Sequence, residues 1–182
     1  MKNFLYFIWD ILKLAIIALA IVIPVRYFLF QPFLVRGQSM EPGFENGDYL
    51  IVDEISYHLR DPQRGEVIVF KYPEDPSQRF IKRIIGLPGE TVDIKDGKIA
   101  VTDGQNQSEV LDESNYLSSV AKTFGDVHLV LGENQYFVLG DNRDFSFDSR
   151  RFGLLPRQNI IGRVFLRAWP LANFAKIAIP SY

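Results

Sequence analysis

Residues 79–101, RFIKRIIGLPGETVDIKDGKIAV, decide the fold class of this chain. Short apolar and β-branched runs alternate with turn signals, first a Pro-Gly pair and then the dipeptide Asp96–Gly97. An Asp-Gly pair between two alternating runs is a strong hairpin signal. The stretch therefore predicts antiparallel strands rather than helices.

The same pattern extends on both sides of this stretch. Similar runs occur at 49–57 (YLIVDEISY), 66–70 (EVIVF), 127–131 (VHLVL), 135–140 (QYFVLG) and 159–177 (NIIGRVFLRAWPLANFAKI). Many short, closely spaced strands indicate a mainly β domain, antiparallel and barrel-like or sandwich-like. Residues 102–125 are the most polar, so we expect a polar excursion at about 100–130. The apolar C-terminal tail is expected to pack on the domain or to rest on a membrane surface.

The N-terminal segment differs from the rest, because residues 4–35 are nearly all apolar. Its polar interruptions are Asp10, Lys13, Arg26 and Gln31. The charge-free part, residues 14–25, is shorter than the roughly 20 residues that cross a bilayer. The apolar segment would be longer if Asp10 paired with Lys13 and if the side chains of Lys13 and Arg26 extended outward to the membrane surface. We predict a single transmembrane helix over 1–30, a retained membrane anchor, and a β-rich domain over 31–182. A cleaved signal peptide and a buried core helix are the alternatives.

The composition excludes several classes of function. The net charge of −2 and the lack of a basic run give no footprint for nucleic acid, so no nucleic-acid partner is expected. The absence of cysteine rules out a thiol nucleophile, and two histidines cannot supply a three-histidine metal site. We expect no cofactor.

The turn FLVRGQSMEPG, residues 33–43, presents Ser39 among glycine and proline. Serine in such a turn is usually a turn-former, so a chemical role needs a base. The pattern G-x-S-x-G fails because Glu41 stands where glycine is required. His58 and His128 lie in a polar loop and in a strand run, and nothing ties either to Ser39.

Lys82 is the other candidate base, and it must lose its proton to act. That needs a pKa lowered from about 10.4 towards about 7, which burial among apolar groups can achieve. Strand alternation puts Phe80, Lys82 and Ile84 on one face and Arg83 on the other. A rival pair, Ser119 and Lys122, lacks the companion motifs of S-x-x-K enzymes.

The segment GDNRDFSFDSRRFG, residues 140–153, is the third unusual feature. Its charges alternate in sign and phenylalanines are interleaved among them. Such a network can order a neighbouring site and hold a lysine amine beside a serine hydroxyl.

The chain resembles the bacterial type I signal peptidase family in four segments. These segments are GQSMEP, GDYLIVDE, RGEVIVFKYP followed by RFIKRIIGLPGE, and GDNRDFSFDSRRFG. Members of this family are membrane-anchored Ser/Lys serine endopeptidases that remove signal peptides from exported preproteins. The resemblance implies Ser39 as nucleophile and Lys82 as general base. It further implies that Ser146 orients the lysine, that Asp148 and Arg150 support it, and that Arg83 and Asp141 form a structural ion pair.

The resemblance also implies where the protein works and what it cleaves. A single-pass anchor would leave the N-terminus cytoplasmic and the catalytic domain on the outer, trans side of the plasma membrane. The expected partners are the lipid membrane and preprotein signal peptides with Ala-x-Ala-like residues before the cut. The oligomeric state stays open. The alternative function is a catalytically inactive, membrane-tethered peptide-binding β module.

The residues themselves suggest a substrate site. On an extended segment Phe33, Val35, Gly37 and Ser39 share one face; Met40 and Phe80 are further candidates for substrate binding. A substrate added as a strand against residues 76–82 would bind through its backbone. Because some family members carry serine where this chain has Gly37, the oxyanion hole is expected to depend more on the Ser39 N–H.

Overall fold

The structure is a computed structural model, and it describes residues 2–28, 30–117 and 121–182. A long helix, α1 (Lys2–Phe28), precedes the β-rich part of the chain. Its side chains from Tyr6 to Leu19 are exposed. Among the described residues, no helix combines the length and apolar character needed to cross a membrane.

Antiparallel sheets form the rest of the molecule, as the alternating runs predicted. The strands are β1 (Phe30–Leu34), β2 (Tyr49–Asp53), β3 (Val67–Lys71), β4 (Arg79–Gly86), β5 (Thr91–Lys95), β6 (Lys98–Thr102), β7 (Ser108–Val110), β8 (Val127–Val130), β9 (Gln135–Leu139), β10 (Leu155–Pro156), β11 (Ile160–Trp169) and β12 (Ala175–Lys176). Two short helices, α2 (Ser56–Leu59) and α3 (Ser149–Phe152), and two 3₁₀ turns, Arg157–Asn159 and Leu171–Asn173, complete the fold. The prediction of a mainly β, antiparallel fold is confirmed.

The large sheet has the strand order β1-β2-β11-β3-β4-β9-β10, with β12 added beside β11. Pairing of β3 with β4 sets Lys82 opposite Ile68 and Arg83 opposite Val67. β9 pairs only with the second half of β4, from Arg83 onwards. The outer edge of β1 and the outer edge of residues 79–82 therefore carry no described partner strand.

A second, four-stranded sheet has the order β7-β6-β5-β8. The predicted hairpin joins β5 to β6, and Asp96 (φ 52°) and Gly97 (φ 78°) both adopt the left-handed conformation of a tight hairpin turn. The region predicted as a polar excursion includes β7 and β8, so part of it is sheet. β8 lies in the predicted run 127–131, whereas β7 is only three residues long and exposed throughout, so it shows no alternation of buried and exposed positions.

The run at 49–57 is not one strand, because β2 ends at Asp53 and α2 begins at Ser56. The Asp53 carboxylate accepts hydrogen bonds from the N–H and the hydroxyl of Ser56, at 3.0 and 2.6 Å. This local capping stops the strand.

Three clusters of buried apolar side chains stabilise the β-rich part. One lies under β1, β2 and the Ser39 turn, one between the large and small sheets, and one against α2 and α3. The C-terminal tail leaves Trp169, Leu171 and Phe174 more than half exposed.

Candidate active site

The Ser39 turn follows β1 and is fixed from the side by Asn142. The backbone N–H of Asn142 donates to the Ser39 carbonyl at 3.1 Å, and its side-chain amide donates to the Gln38 carbonyl at 3.0 Å. Two bonds from one residue hold the backbone on both sides of the Gln38–Ser39 bond. The turn is therefore preformed.

Gly37 allows the chain to enter this turn. Its φ is +86°, a conformation that residues with a side chain rarely adopt. Its N–H donates to the side-chain oxygen of Asn46 at 2.9 Å. That bond leaves the Gly37 N–H occupied, while Ser39 N–H has no acceptor among the described residues.

Lys82 and Ser39 lie in contact. The Nζ atom of Lys82 is 2.7 Å from the Oγ atom of Ser39. Lys82 is 4% exposed, and Nζ also donates to the carbonyl of Ile81 at 2.8 Å. This second hydrogen bond orients the amine so that the rest of the nitrogen, including its lone pair when it is unprotonated, can face the serine hydroxyl.

Burial lowers the pKa of Lys82 to about 8. Desolvation among apolar neighbours, including the fully buried Ile68 and Ile84, disfavours the ammonium form. The carboxylates of Asp148 and Asp141 act in the opposite direction and limit the decrease in pKa. The amine can then take up and release a proton near neutral pH.

Ser146 is 3% exposed, and its hydroxyl has no hydrogen-bond partner among the described residues. A Cβ placed on Gly140 would overlap both Ser146 Oγ and the Ser39 carbonyl oxygen, so Ser146 lies close to the nucleophile's backbone. The expected hydrogen bond between Ser146 and Lys82 is not formed in this structure.

Asp148 and Arg150 pair as a buried unit behind the site. Arg150 Nε and Nη2 donate to the two carboxylate oxygens of Asp148, each at 2.9 Å. Asp148 is fully buried and also accepts from the Gly140 N–H at 3.2 Å. Arg150 Nη2 donates in turn to the Arg143 carbonyl at 2.6 Å. The pair ties Gly140, Arg143 and Asp148 together and so fixes the fold of residues 140–150.

Arg83 projects from the other face of β4, as strand alternation predicted, and binds Asp141. Nε and Nη2 donate to the two carboxylate oxygens at 2.9 and 2.6 Å, and Nη1 donates to the Gly65 carbonyl at 2.9 Å. The ring of Tyr116 lies 4.0 Å from the guanidinium carbon. Both charges of this ion pair are buried.

Sequence reasoning missed several residues of this network. Arg143 donates to both carboxylate oxygens of Glu113, at 2.6 and 2.8 Å, and also to the Thr123 hydroxyl. Glu113, Tyr116 and Thr123 belong to the polar region for which we expected only a surface role. No local signal marks Thr123 and Glu113, because the arginine that binds them lies 20 and 30 residues away along the chain.

The two histidines are engaged away from Ser39. His58 Nδ1 lies 3.1 Å from the Glu54 carbonyl, and His128 Nδ1 lies 2.6 Å from the Asp93 carboxylate on the small sheet. Ser119 of the rival Ser119–Lys122 pair lies outside the described residues.

A groove of about 530 Å³ opens at Ser39 and Lys82. Its walls come from β1 and from β4 with the turn before it: Pro32, Phe33, Leu34, Arg36, Ser77, Gln78, Arg79, Phe80 and Ile81. Although three strands separate β1 from β4 in the sheet order, both line the groove because the sheet curls.

Phe33 and Phe80 line the groove, whereas the other predicted substrate contacts do not. Val35 and Met40 are 2% and 1% exposed and belong to the apolar core beneath the turn. Gly37 is exposed but outside the lining. The exposed positions are Pro32, Leu34 and Arg36, and these line the groove together with the half-buried Phe33, so the lining is not limited to the odd-numbered face that we predicted.

Comparison with known proteins gives a consistent result. Residues 8–169 match the family described as signal peptidase, peptidase S26. Among curated proteins, "Probable signal peptidase I-2" of Synechocystis is 39% identical over 87% of this chain and 72% of its own length. "Signal peptidase I" of Leptolyngbya laminosa is 38% identical over 90% of this chain and 81% of its length.

One solved structure, a signal peptidase I from Enterococcus faecalis, is 33% identical, with a TM-score of 0.47 over 58% of this chain and 97% of that chain. The family match covers most of the sequence, from α1 to the end of β11. The chain belongs to the signal peptidase family, peptidase S26.

Proposed function

We propose that this protein is a signal peptidase I, a serine endopeptidase that removes signal peptides from exported preproteins, with Ser39 as nucleophile and Lys82 as general base. One observation carries the assignment of roles: a buried amine lies 2.7 Å from a serine hydroxyl at the end of an open groove. The family membership supports the reaction.

The proposed reaction begins with Lys82 unprotonated. The amine takes the Ser39 proton as Oγ attacks the scissile carbonyl, and the resulting ammonium passes that proton to the leaving amine. The mature chain departs and leaves an ester on Ser39. Lys82 then deprotonates a water molecule that attacks the ester, which releases the signal peptide and restores the serine.

The Ser39 N–H is the proposed donor to the oxyanion, because it has no other acceptor among the described residues. One such donor is worth about 3 kcal/mol of transition-state stabilisation. Gly37 contributes by conformation instead, since its N–H is bound to Asn46. Ser146 is proposed to hold the lysine during the reaction, because its buried hydroxyl has unused hydrogen-bonding capacity beside the Ser39 backbone.

The signal-peptide side of the substrate is proposed to lie as an added strand along residues 76–82. The backbone edges of β1 and of the first half of β4, which no strand of the described residues covers, would provide hydrogen bonds whatever the substrate's sequence. Leu34 and Phe80 line the groove beside Ser39, and their bulk is proposed to favour small, Ala-like residues before the cut.

We further propose that α1 anchors the protein in the plasma membrane as a single pass, with the N-terminus cytoplasmic and the β-rich domain on the outer side. The aromatic and aliphatic side chains exposed along α1 support a lipid environment. Leu34 on β1 lies opposite Tyr49 on β2, and Tyr49 lies opposite Trp169 on β11. All three side chains are exposed. This apolar corner at the end of β1 would let the domain rest on the lipid surface.

The catalytic assignment is tested by cleavage of a purified preprotein in detergent, with sequencing of the new N-terminus. We expect cleavage after an Ala-x-Ala-like site by the wild type, and a loss of at least about 10³-fold in Ser39→Ala and Lys82→Ala. Lys98→Ala, an exposed hairpin lysine, serves as the matched control. Wild-type activity in either dyad variant would overturn the assignment, and a wild type without activity would favour the inactive peptide-binding module.

Membrane topology is tested with single cysteines, which the cysteine-free sequence makes straightforward. A cysteine at Ser114 in intact cells should react with an impermeant maleimide, whereas one at Asn3 should react only after lysis. Labelling of the Asn3 position alone in intact cells would contradict the proposed orientation.

A further inference from the structure

A second pocket lies beside the Ser39 turn. Its volume is about 400 Å³, and its walls include Glu41, Pro42, Lys122, Asn142 and Asp144. Glu41 follows the nucleophile by two residues, and Asn142 binds the carbonyls of Gln38 and Ser39. The groove is bordered by Ser39 and the pocket by Glu41, so both adjoin the same turn.

A bound substrate continues beyond the scissile bond. The groove extends from Ser39 along β1 and β4 and accounts for the residues before that bond. The chain on the carboxyl side of the bond must leave past Ser39. The pocket bordered by Glu41, two residues after the nucleophile, is placed to receive it.

The charges in this pocket are unevenly paired. Asp141 and Arg143 also border it, but each is already paired, with Arg83 and Glu113 respectively. Glu41, Asp144 and Lys122 have no ion-pair partner among the described residues, and Asp144 and Lys122 are exposed. Two unpaired carboxylates against one ammonium leave the pocket with an excess of negative charge.

We propose, building on the proposed function, that this pocket binds the first residues of the mature protein and favours basic over acidic side chains there. Glu41 and Asp144 act as specificity-determining residues for the chain after the cut. Lys122 opposes them and reduces the preference.

The test uses three peptide substrates that share one signal-peptide half and differ only in the second and third residues after the cut. These residues are Lys, Gln or Asp, and the measured quantity is the ratio of kcat/KM for the Lys and Asp peptides. For the wild type we expect a ratio of about two to five, the range of a partly exposed ion pair. The ratio should decrease towards one at high salt, because screening weakens the interaction.

Two variants should move this ratio in opposite directions. Glu41→Gln combined with Asp144→Asn should bring it to about one or below, and Lys122→Gln should raise it. Glu133→Gln, which removes an exposed carboxylate in the turn between β8 and β9, is the matched control and should leave it unchanged. Comparing two substrates within each variant removes any effect of reduced folding, because that lowers both rates equally.

The outcomes separate this inference from the proposed function. A wild-type ratio of one or less, or an unchanged ratio in the double variant, would overturn the proposed pocket specificity while cleavage of the Gln peptide upholds the proteolytic activity. Failure of the wild type to cleave the Gln peptide would count against the proposed function itself.

Discussion

At the scale of single residues, the amine of Lys82 meets two opposing requirements. It must be unprotonated to accept the Ser39 proton, and it must bind that proton well enough to carry it to the leaving group. A pKa of about 8 leaves about one molecule in ten ready to react at pH 7. Burial is what lowers the pKa of Lys82 into this range, because the nearby carboxylates alone would raise it.

We therefore expect kcat/KM to rise with pH and to level off above an apparent pKa near 8. The measurement is a pH–rate profile on a peptide substrate without ionisable side chains. A substitution that admits water, Ile84→Ser, should move the acidic limb to higher pH. An acidic limb near 10 in the wild type would mean that Lys82 is not desolvated in solution.

The same burial makes Lys82 a cost to stability. Because the folded state holds this proton less tightly than the unfolded chain, the unfolded state binds more protons between about pH 8 and 10.5. Stability should then rise through that window. Lys82→Met should remove this rise and stabilise the inactive protein at pH 7 by up to about 3 kcal/mol. Urea unfolding of the wild type and of Lys82→Met at several pH values measures the free energy of unfolding of each protein. A wild-type free energy of unfolding that stays constant from pH 8 to 10 would contradict the expectation.

At the scale of elements, the site depends on how closely two turns approach. The Ser39 turn and the segment after β9 meet at Gly140, where a side chain would overlap Ser146 Oγ and the Ser39 carbonyl. The backbone of the Ser39 turn therefore lies directly against the segment after β9, with no room for a side chain at residue 140.

We expect Gly140→Ala to displace the nucleophile and to reduce kcat by about 10²-fold or more, because small errors in catalytic geometry are costly. Gly104→Ala is the matched control, since nothing lies within 4 Å of a Cβ there. Steady-state kinetics with circular dichroism spectra of both variants make the comparison. Full activity in Gly140→Ala would show that the turn adjusts freely.

The alternating runs were enough to predict most of the strands and the opposite faces of Lys82 and Arg83 on β4, because local period and hairpin signals determine both. They did not predict β7 or the end of β2 at Asp53. Nor did they determine which positions from β1 to the Ser39 turn face the groove, so Val35 and Met40 were wrongly assigned to it. The choice of face depends on how the sheet curls and on what covers each side. Neither is encoded within the segment itself.

At the scale of the whole molecule, buried charge joins the large sheet to the loops beside the small one. Arg83 on β4 binds Asp141 after β9, and Arg143 binds Glu113 in the segment between the small-sheet strands β7 and β8. Tyr182, the last residue of the chain, packs beside these buried charges, and its hydroxyl lies 3.3 Å from the hydroxyl of Tyr116. These contacts are distant in sequence, which is why the polar region gave no sign of them.

We expect Asp141→Asn to destabilise the fold by about 3 to 5 kcal/mol, because it leaves the Arg83 charge buried without a counter-ion. The double variant Arg83→Met with Asp141→Leu should recover much of this loss, since no buried charge then remains. Denaturant unfolding of the wild type, the single variant and the double variant tests the pair. A single variant as stable as the wild type would mean that water already reaches Arg83.

The two strand edges that border the groove, which have no pairing strand in the described part of the chain, have a consequence for turnover. A liberated signal peptide retains the same main-chain contacts that held it before hydrolysis, so cleavage alone does little to dislodge it. We expect the cut-off fragment to compete with the next preprotein, and its rate of escape into lipid to limit the enzyme under saturating conditions. A burst of mature protein followed by a slower steady state would be the kinetic sign of this retention.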